Sequence, residues 1–225
     1  MGHSTLRNRG ILSKVKSVKF TCLASDMVTQ VSGHRPLNRF PMYTFDLLLQ
    51  NWNPSPEESS FRDQILTFLR NSPAPFDRET LEGHITGSAF ILHPDRRHIL
   101  MTYHRKLEEW LTLGGHADGD SDVLRVAHRE AFEESGLASE DIVLEIPEIF
   151  SIDIHTIPEY QGVPEHLHYD VSFVFRAKQT NIQISEESLD LAWVPLSQVA
   201  EKTKTPRILR GVERLQLHLQ RVAVE

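Results

Sequence analysis

The chain has 225 residues, 40% of them apolar, and a formal net charge of −7. That length supports one domain with an extension, or two small ones at most, and the acidic balance argues against general binding to polyanionic nucleic acid. The single Cys22 rules out an internal disulfide or a cysteine-based zinc cluster, and no run of 18 apolar residues offers a membrane-spanning helix, which fits a soluble protein of the reducing cytoplasm.

In chain order, residues 1–41 carry seven Lys and Arg against one acid, Asp26, leaving −13 on the remainder. Basic and acid-poor, this segment has the composition of a transit peptide or a disordered tail, with Met42 as an alternative start. Patterning begins after it. Residues 43–52 read as a short amphipathic helix with Phe45, Leu48, Leu49 and Trp52 to bury, ended by Asn53-Pro54-Ser55-Pro56. Its apolar face is expected to dock on the main domain or on a second subunit of a homodimer. Ser55 followed by Glu57 and Glu58 opens a second helix running to about Arg70, with Phe61, Ile65, Phe68 and Leu69 on one side. Residues 42–78 thus form a helical extension ahead of a domain at 79–225.

In that domain, 85–92 and 98–103 read as strands around a His93-Pro94-Asp95-Arg96 turn, and 110–113 as a short strand feeding Gly114-Gly115. Residues 142–154 hold one or two strands broken near Pro147. Residues 166–178 alternate as a long strand, 189–194 form another, and 206–222 close the chain as a helix with Ile208, Leu209, Val212, Leu215 and Leu219 at helical spacing. Strands interspersed with helices imply an α/β layered domain.

The chain is organised around residues 114–137, GGHADGDSDVLRVAHREAFEESGL. Glycines 114, 115 and 119 make a turn, Asp120 or Ser121 is placed to cap a helix over about 122–135, and Gly136 supplies its left-handed stop. At about 100° per residue, Glu130, Glu133 and Glu134 share roughly 100° of one helical face, while Leu124, Ala127, Ala131 and Phe132 cluster on an adjacent face that would meet a sheet. Like charges three and four apart cost an isolated helix roughly 0.2–0.5 kcal/mol per pair, a cost a divalent cation among them would offset. Two rival motifs fail on residues. Asp118-x-Asp120-x-Asp122 begins like an EF-hand loop, but Val123 stands where glycine is needed and Arg129 where a bidentate glutamate is needed. A Walker A loop needs a lysine, and 114–137 contains none.

The stretch resembles the Nudix box of the Nudix hydrolases, with Gly115, Arg129, Glu130, Ala131, Glu133, Glu134, Gly136 and Leu137 in register. One position departs: Ser121, flanked by Asp120 and Asp122, stands where the box has its first glutamate, and a neighbouring aspartate would substitute for it. The resemblance implies an α/β/α sandwich with a mixed sheet over about 83–225. It also implies a Mg²⁺-dependent pyrophosphohydrolase, with Mn²⁺ as substitute. Its substrate would be a nucleoside diphosphate linked to another moiety, or a related organic diphosphate. Glu130, Glu133 and Glu134 would hold the metal, and Arg129 would orient a box carboxylate through a bidentate pair. The general base is not fixed by the box; a box glutamate, Glu186 or Glu187 are the candidates.

Two other classes of function stand beside this one. A nucleotide-sensing module without turnover is favoured by Ser121 and opposed by the intact Arg129, Glu130, Glu133 and Glu134. An isoprenoid diphosphate isomerase needs a pocket cysteine, and Cys22 sits in the basic tail.

Outside the box, His104, Arg105 and Lys106 form a basic cluster that would hold substrate phosphates or form a solvated hairpin tip, and His116 is expected to face the cleft. Alternation puts His166, His168 and Asp170 on one strand face. His155, His166 and His168, with Asp153, Glu165 and Asp170 nearby, offer enough ligands for a zinc site if the strands bring them together; the alternatives are substrate contacts at His168 and Asp170, or structural hydrogen bonding.

Overall fold

The computed structural model describes residues 45–223. The basic segment read at 1–41 lies outside the described residues. Two helices open the fold, α1 (Phe45–Asn51) and α2 (Pro56–Asn71). Ser55 and Glu58 cap α2 reciprocally: the Ser55 hydroxyl accepts from the Glu58 N–H and the Glu58 carboxylate accepts from the Ser55 N–H. This satisfies two backbone donors that a helix start otherwise leaves unpaired.

The strands follow as β1 (Gly83–Leu92), β2 (His98–His104), β3 (Glu109–Leu111), β4 (Leu113–His116), β5 (Ile142–Leu144), β6 (Ser151–Ile157), β7 (His166–Ala177) and β8 (Ser188–Pro195). The remaining helices are α3 (Val123–Ser135), a short α4 (Val199–Lys202) and α5 (Pro206–Val222). β1 lies at the centre, paired parallel with β7 and antiparallel with β4. The far edge of β7 takes β5 and β6 in succession. β2 pairs with β3 and β8 and touches β1 only at the hairpin base, Leu92 opposite Ile99. All ten residues of β1 are buried, as expected for a strand covered on both faces.

Two cores flank the sheet. One combines Ile85, Ala89 and Ile91 with Leu49 and Ile65 of α1 and α2 and with Val123, Ala127 and Ala131 of α3. The other sets Phe90, Leu92 and Val174 against Ile208, Val212 and Leu215 of α5. The result is the expected α/β/α sandwich with a mixed sheet and an N-terminal helical extension.

Three local expectations change. The strand read at 110–113 is two strands, because the chain crosses at Thr112 from pairing with β2 to pairing with β1. Of the four apolar residues offered by the first helix, Phe45, Leu49 and Trp52 are buried in the core shared with the sheet, whereas Leu48 is exposed. The α3 cap is neither Asp120 nor Ser121 but Asp122, whose carboxylate accepts from the Arg125 N–H at 3.1 Å.

Candidate active site

Helix α3 packs on the face of β1 that carries Gly87, where a Cβ would meet the Val123 carbonyl oxygen and the Ala127 nitrogen at 3.0 Å. Gly115 stands opposite Gly87 in β4 and faces the same helix. A Cβ on Gly115 would lie 2.6 Å from Glu130 Oε2 and 2.7 Å from its Cδ. Only glycine leaves room for that carboxylate. One residue earlier, the Gly114 N–H donates to Glu134 Oε2 at 3.0 Å. The glycine pair therefore seats two box carboxylates, and Glu133 stands beside them with its side chain 54% exposed.

Burial pushes the Glu134 carboxyl up to about 8; Glu130, Glu187 and Glu133 add to the rise and the Gly114 N–H opposes it. Burial also raises Glu130, with Glu133 and Glu187 adding to it against the Arg129 guanidinium. Crowded, partly desolvated carboxylates of this kind fit a hard divalent cation, which prefers oxygen ligands and would neutralise them. Arg129 Nη2 donates to Glu130 Oε1 and to the His116 carbonyl, both at 2.7 Å, while its Nε lies 3.8 Å from Glu133 Oε2. It thus reaches Glu130 through one nitrogen rather than the bidentate pair expected, and ties the helix to β4.

The two aspartates around Ser121 are engaged locally. Asp120 accepts from Arg125 at 2.5 and 2.7 Å and from the Asp122 N–H at 2.9 Å, and Asp122 caps α3. Glu187, in the turn before β8, bears electrostatically on both Glu130 and Glu134. Arg105 fixes that turn, donating from its backbone to the Glu187 carbonyl and from its guanidinium to the Glu186 and Ser188 carbonyls. His104 Nδ1 accepts from the Leu107 N–H, and Lys106 is exposed.

The other face of the sheet is polar at the same end. Asp170 is buried and accepts from Thr86 at 2.9 Å, Ser88 at 2.7 Å and Ser172 at 3.2 Å. His116 is paired with Thr86, so its side chain turns to this face and away from Glu130. There it meets His168 and a residue the sequence reading did not single out, His84. The three histidines considered for zinc do come together, with the rings of His166 and His155 5.3 and 5.6 Å from that of His168 and His166 5.0 Å from His84. Only His168 among them shares converging nitrogens with His84 and His116, while His155 Nδ1 lies 3.2 Å from Asp153 and His166 Nδ1 lies 2.8 Å from the Pro164 carbonyl. The missed signal was the polar alternation of His84, Thr86 and Ser88 along a strand otherwise apolar.

Concavity alone does not find the box. A groove of about 610 Å³ runs between the start of α2 and α5, lined by Glu58, Arg210 and Arg214 among others, and includes no box residue.

The family model of the NUDIX domain matches residues 84–215. The chain belongs to the Nudix family, and as such is a hydrolase acting on phosphoric anhydride bonds. The crystal structure of a C. elegans Ap4A hydrolase binary complex is similar at 15% identity and TM-score 0.51, covering 60% of this chain and 97% of that one. A MutT protein from Methanosarcina mazei is 18% identical with TM-score 0.46, covering 62% and 96%, and a Nudix-family hydrolase from Clostridium perfringens is 22% identical with TM-score 0.44, covering 60% and 97%. At these identities the first likeness speaks to the fold alone. No curated protein sequence matches the chain. Among the described residues no helix is long and apolar enough to cross a membrane.

Proposed function

We propose that the protein is a Mg²⁺-dependent pyrophosphohydrolase, with Mn²⁺ able to substitute. It would cleave a nucleoside diphosphate linked to another moiety, or a related organic diphosphate, by attack of water on phosphorus. The observation that carries this reading is the convergence of Glu130 and Glu134 on Gly114-Gly115, with Glu133 beside them. Glu130, Glu133 and Glu134 would hold the cation. When bound, it would polarise phosphoryl oxygens and make a coordinated water more acidic. Arg129 keeps Glu130 turned toward the glycine pair. Beside a box glutamate, Glu187 is the candidate base we favour in the turn before β8, because its charge bears on both Glu130 and Glu134. A carboxylate there would accept the proton released by the attacking water.

The substrate is a small molecule and not a nucleic acid, and the setting is the cytoplasm. The net charge of −7 would repel a polyanion but tolerates a diphosphate neutralised locally by metal. The name of the C. elegans neighbour, Ap4A hydrolase, makes dinucleoside polyphosphates one class to test, beside nucleotide sugars, ADP-ribose and dinucleotides. The experiment is a screen of these compounds with and without Mg²⁺, in which added alkaline phosphatase frees phosphate from the monoester products but not from the intact substrates, followed by hydrolysis of any substrate in ¹⁸O-labelled water. Metal-dependent cleavage placing the label on a phosphoryl product is expected. Silence across all four classes, or label outside phosphorus, would overturn the reading.

A further inference from the structure

We infer that the three histidines His84, His116 and His168 form a second metal site, for a transition-metal ion of the Zn²⁺ class, on the sheet face opposite the box. Three strands supply them: His84 is paired with His168 across β1 and β7, and His116 stands opposite Thr86 in β4. Their ring centroids are 4.8 Å apart for His84 and His168, 4.9 Å for His84 and His116, and 5.1 Å for His116 and His168. One ring nitrogen from each lies within 4.8 Å of the other two. A tetrahedral ion at about 2.0–2.1 Å from each nitrogen needs them about 3.4 Å apart. The nitrogens would have to draw together by at most about 1.4 Å when the ion binds.

The independent observation is a set of buried polar atoms with nothing to bind. His84 is 2% exposed, and both its ring nitrogens are buried without a hydrogen-bond partner among the described residues; His168 Nε2 is in the same condition. The Thr80 backbone lies near enough to His84 to favour its proton, but no contact there meets hydrogen-bond geometry. Folded proteins rarely leave such groups unsatisfied, because each forfeits its hydration. Packing three imidazoles, two pairs tilted and one edge to face, with their nitrogens converging is a poor arrangement for a core and a good one for an ion.

The donor set selects the metal. Imidazole nitrogen suits Zn²⁺, Cu²⁺, Ni²⁺ and Fe²⁺, whereas Mg²⁺ and Mn²⁺ prefer the carboxylate oxygens on the other face. The rings are also in the right state: burial, more than any neighbouring charge, keeps all three neutral, as a ligand must be. Three protein ligands leave a fourth position of a tetrahedral ion open. The ion would pin β4 to β1 and β7 one residue from Gly115, and so hold the strand against which Glu130 packs.

The test uses the full chain, untagged and stripped by chelation, titrated with Co²⁺ and Zn²⁺. The expected result is one equivalent of either ion retained through gel filtration, with an intense four-coordinate Co²⁺ visible spectrum. The Glu133→Gln/Glu134→Gln variant should retain the same equivalent. His116→Ala, at a partly exposed position, and His168→Gln should lose it. At a Zn²⁺ concentration about 100 times its Kd, the wild-type Tm should rise by roughly 5–10 °C, and the two histidine variants should not respond. Circular dichroism identifies any variant that fails to fold, and His155→Ala, which alters a neighbour outside the triad, should bind like wild type. Binding that survives His116→Ala and His168→Gln in folded protein, binding that disappears with the box variant, or no retained equivalent in the wild type would each overturn the inference.

Discussion

Two polar clusters sit on opposite faces of one sheet, and they are built in opposite ways. The carboxylates of the box come from five consecutive residues of α3 and are set against two consecutive glycines of β4. The imidazoles come one at a time from β1, β4 and β7, so that His84 and His168 are 84 positions apart in the chain. The first cluster is acidic and raises its own proton affinity by crowding and burial. Burial instead lowers the proton affinity of the second. A local cluster of chemistry is written in a helix period; a non-local one depends on strand register, which no single stretch of sequence states.

The sharpest way to break this comparison is to remove charge from the acidic side alone. Glu133→Gln and Glu134→Gln keep shape and lose the metal-binding charge. Each is expected to lower kcat by on the order of 10²–10³, the equivalent of several kcal/mol of lost metal-ion catalysis. Glu134→Gln should do so without destabilising the metal-free protein, because it also removes a buried carboxylate. Steady-state kinetics beside thermal melts in chelator would check both. Activity near wild type with unchanged Mg²⁺ dependence in both variants would mean that the acidic cluster is not the catalytic one.

Gly115→Ala probes the same cluster through space instead of charge. The added methyl would fall 2.6 Å from Glu130 Oε2, so the carboxylate has to move. A displacement near an ångström at a catalytic group costs about 10²-fold in rate. The Mg²⁺ concentration for half-maximal activity should rise with it, while Co²⁺ retention on the histidine face should hold. Loss of both together would show that β4 transmits the change across the sheet.

How far each cluster could be read beforehand follows from this. Helix α5 falls at the bounds expected from its apolar spacing, and α3 lies within one residue of them, because a helix face repeats within the window being read. Gly136 ends α3 with φ 67°, as its position implied. The division of 110–113 into β3 and β4 was not legible, since it records which neighbour each half pairs with. His84 is inconspicuous in the sequence for the same reason: it becomes notable only when β7 lies parallel to β1 and brings His168 opposite. The role of Arg105 was equally hidden, because its partners are backbone carbonyls more than 80 residues away.

The pH dependence of stability sets the two faces against each other in one experiment. Glu134 holds its proton to about pH 8 in the folded chain, against an ordinary value of 4.5. The folded state therefore binds the extra proton in that interval, and metal-free stability falls as pH rises through it. His84 and His116 titrate near 4 when folded, against 6.5 ordinarily. There the unfolded state binds the extra protons, and stability is lost as pH falls from 6.5 toward 4. Each group contributes a slope of at most about 1.4 kcal/mol per pH unit. The windows overlap from 4.5 to 6.5, where the two histidine slopes outweigh the single opposing slope of Glu134. Melts in chelator should therefore peak at about pH 6.5, with Glu134→Gln flattening the alkaline limb and His116→Ala shallowing the acid limb. Saturating Mg²⁺ should restore stability on the alkaline side only. A wild-type profile flat from pH 5 to 8 would remove the case for a buried, proton-holding Glu134.

The smallest effect is expected at the turn that joins the two arrangements, where Ser121 replaces the acid of the box. Asp120 is held by the exposed guanidinium of Arg125 and by the Asp122 N–H, and Asp122 is spent on the α3 cap. With both carboxylates engaged locally, neither is free to reach the glycine pair. Asp120→Asn should therefore leave the Mg²⁺ requirement within about twofold and cost no more than about 1 kcal/mol, the usual worth of an exposed ion pair. Asp122→Ala should cost about 1 kcal/mol through the lost cap, again with kcat nearly unchanged. Ser121→Glu adds a carboxylate with no partner of its own, and should be tolerated or should lower the Mg²⁺ needed for half-maximal rate. If Asp120→Asn raised that requirement tenfold, the Arg125 pair would have to open when metal binds, and the acidic cluster would extend beyond one helix face into the turn.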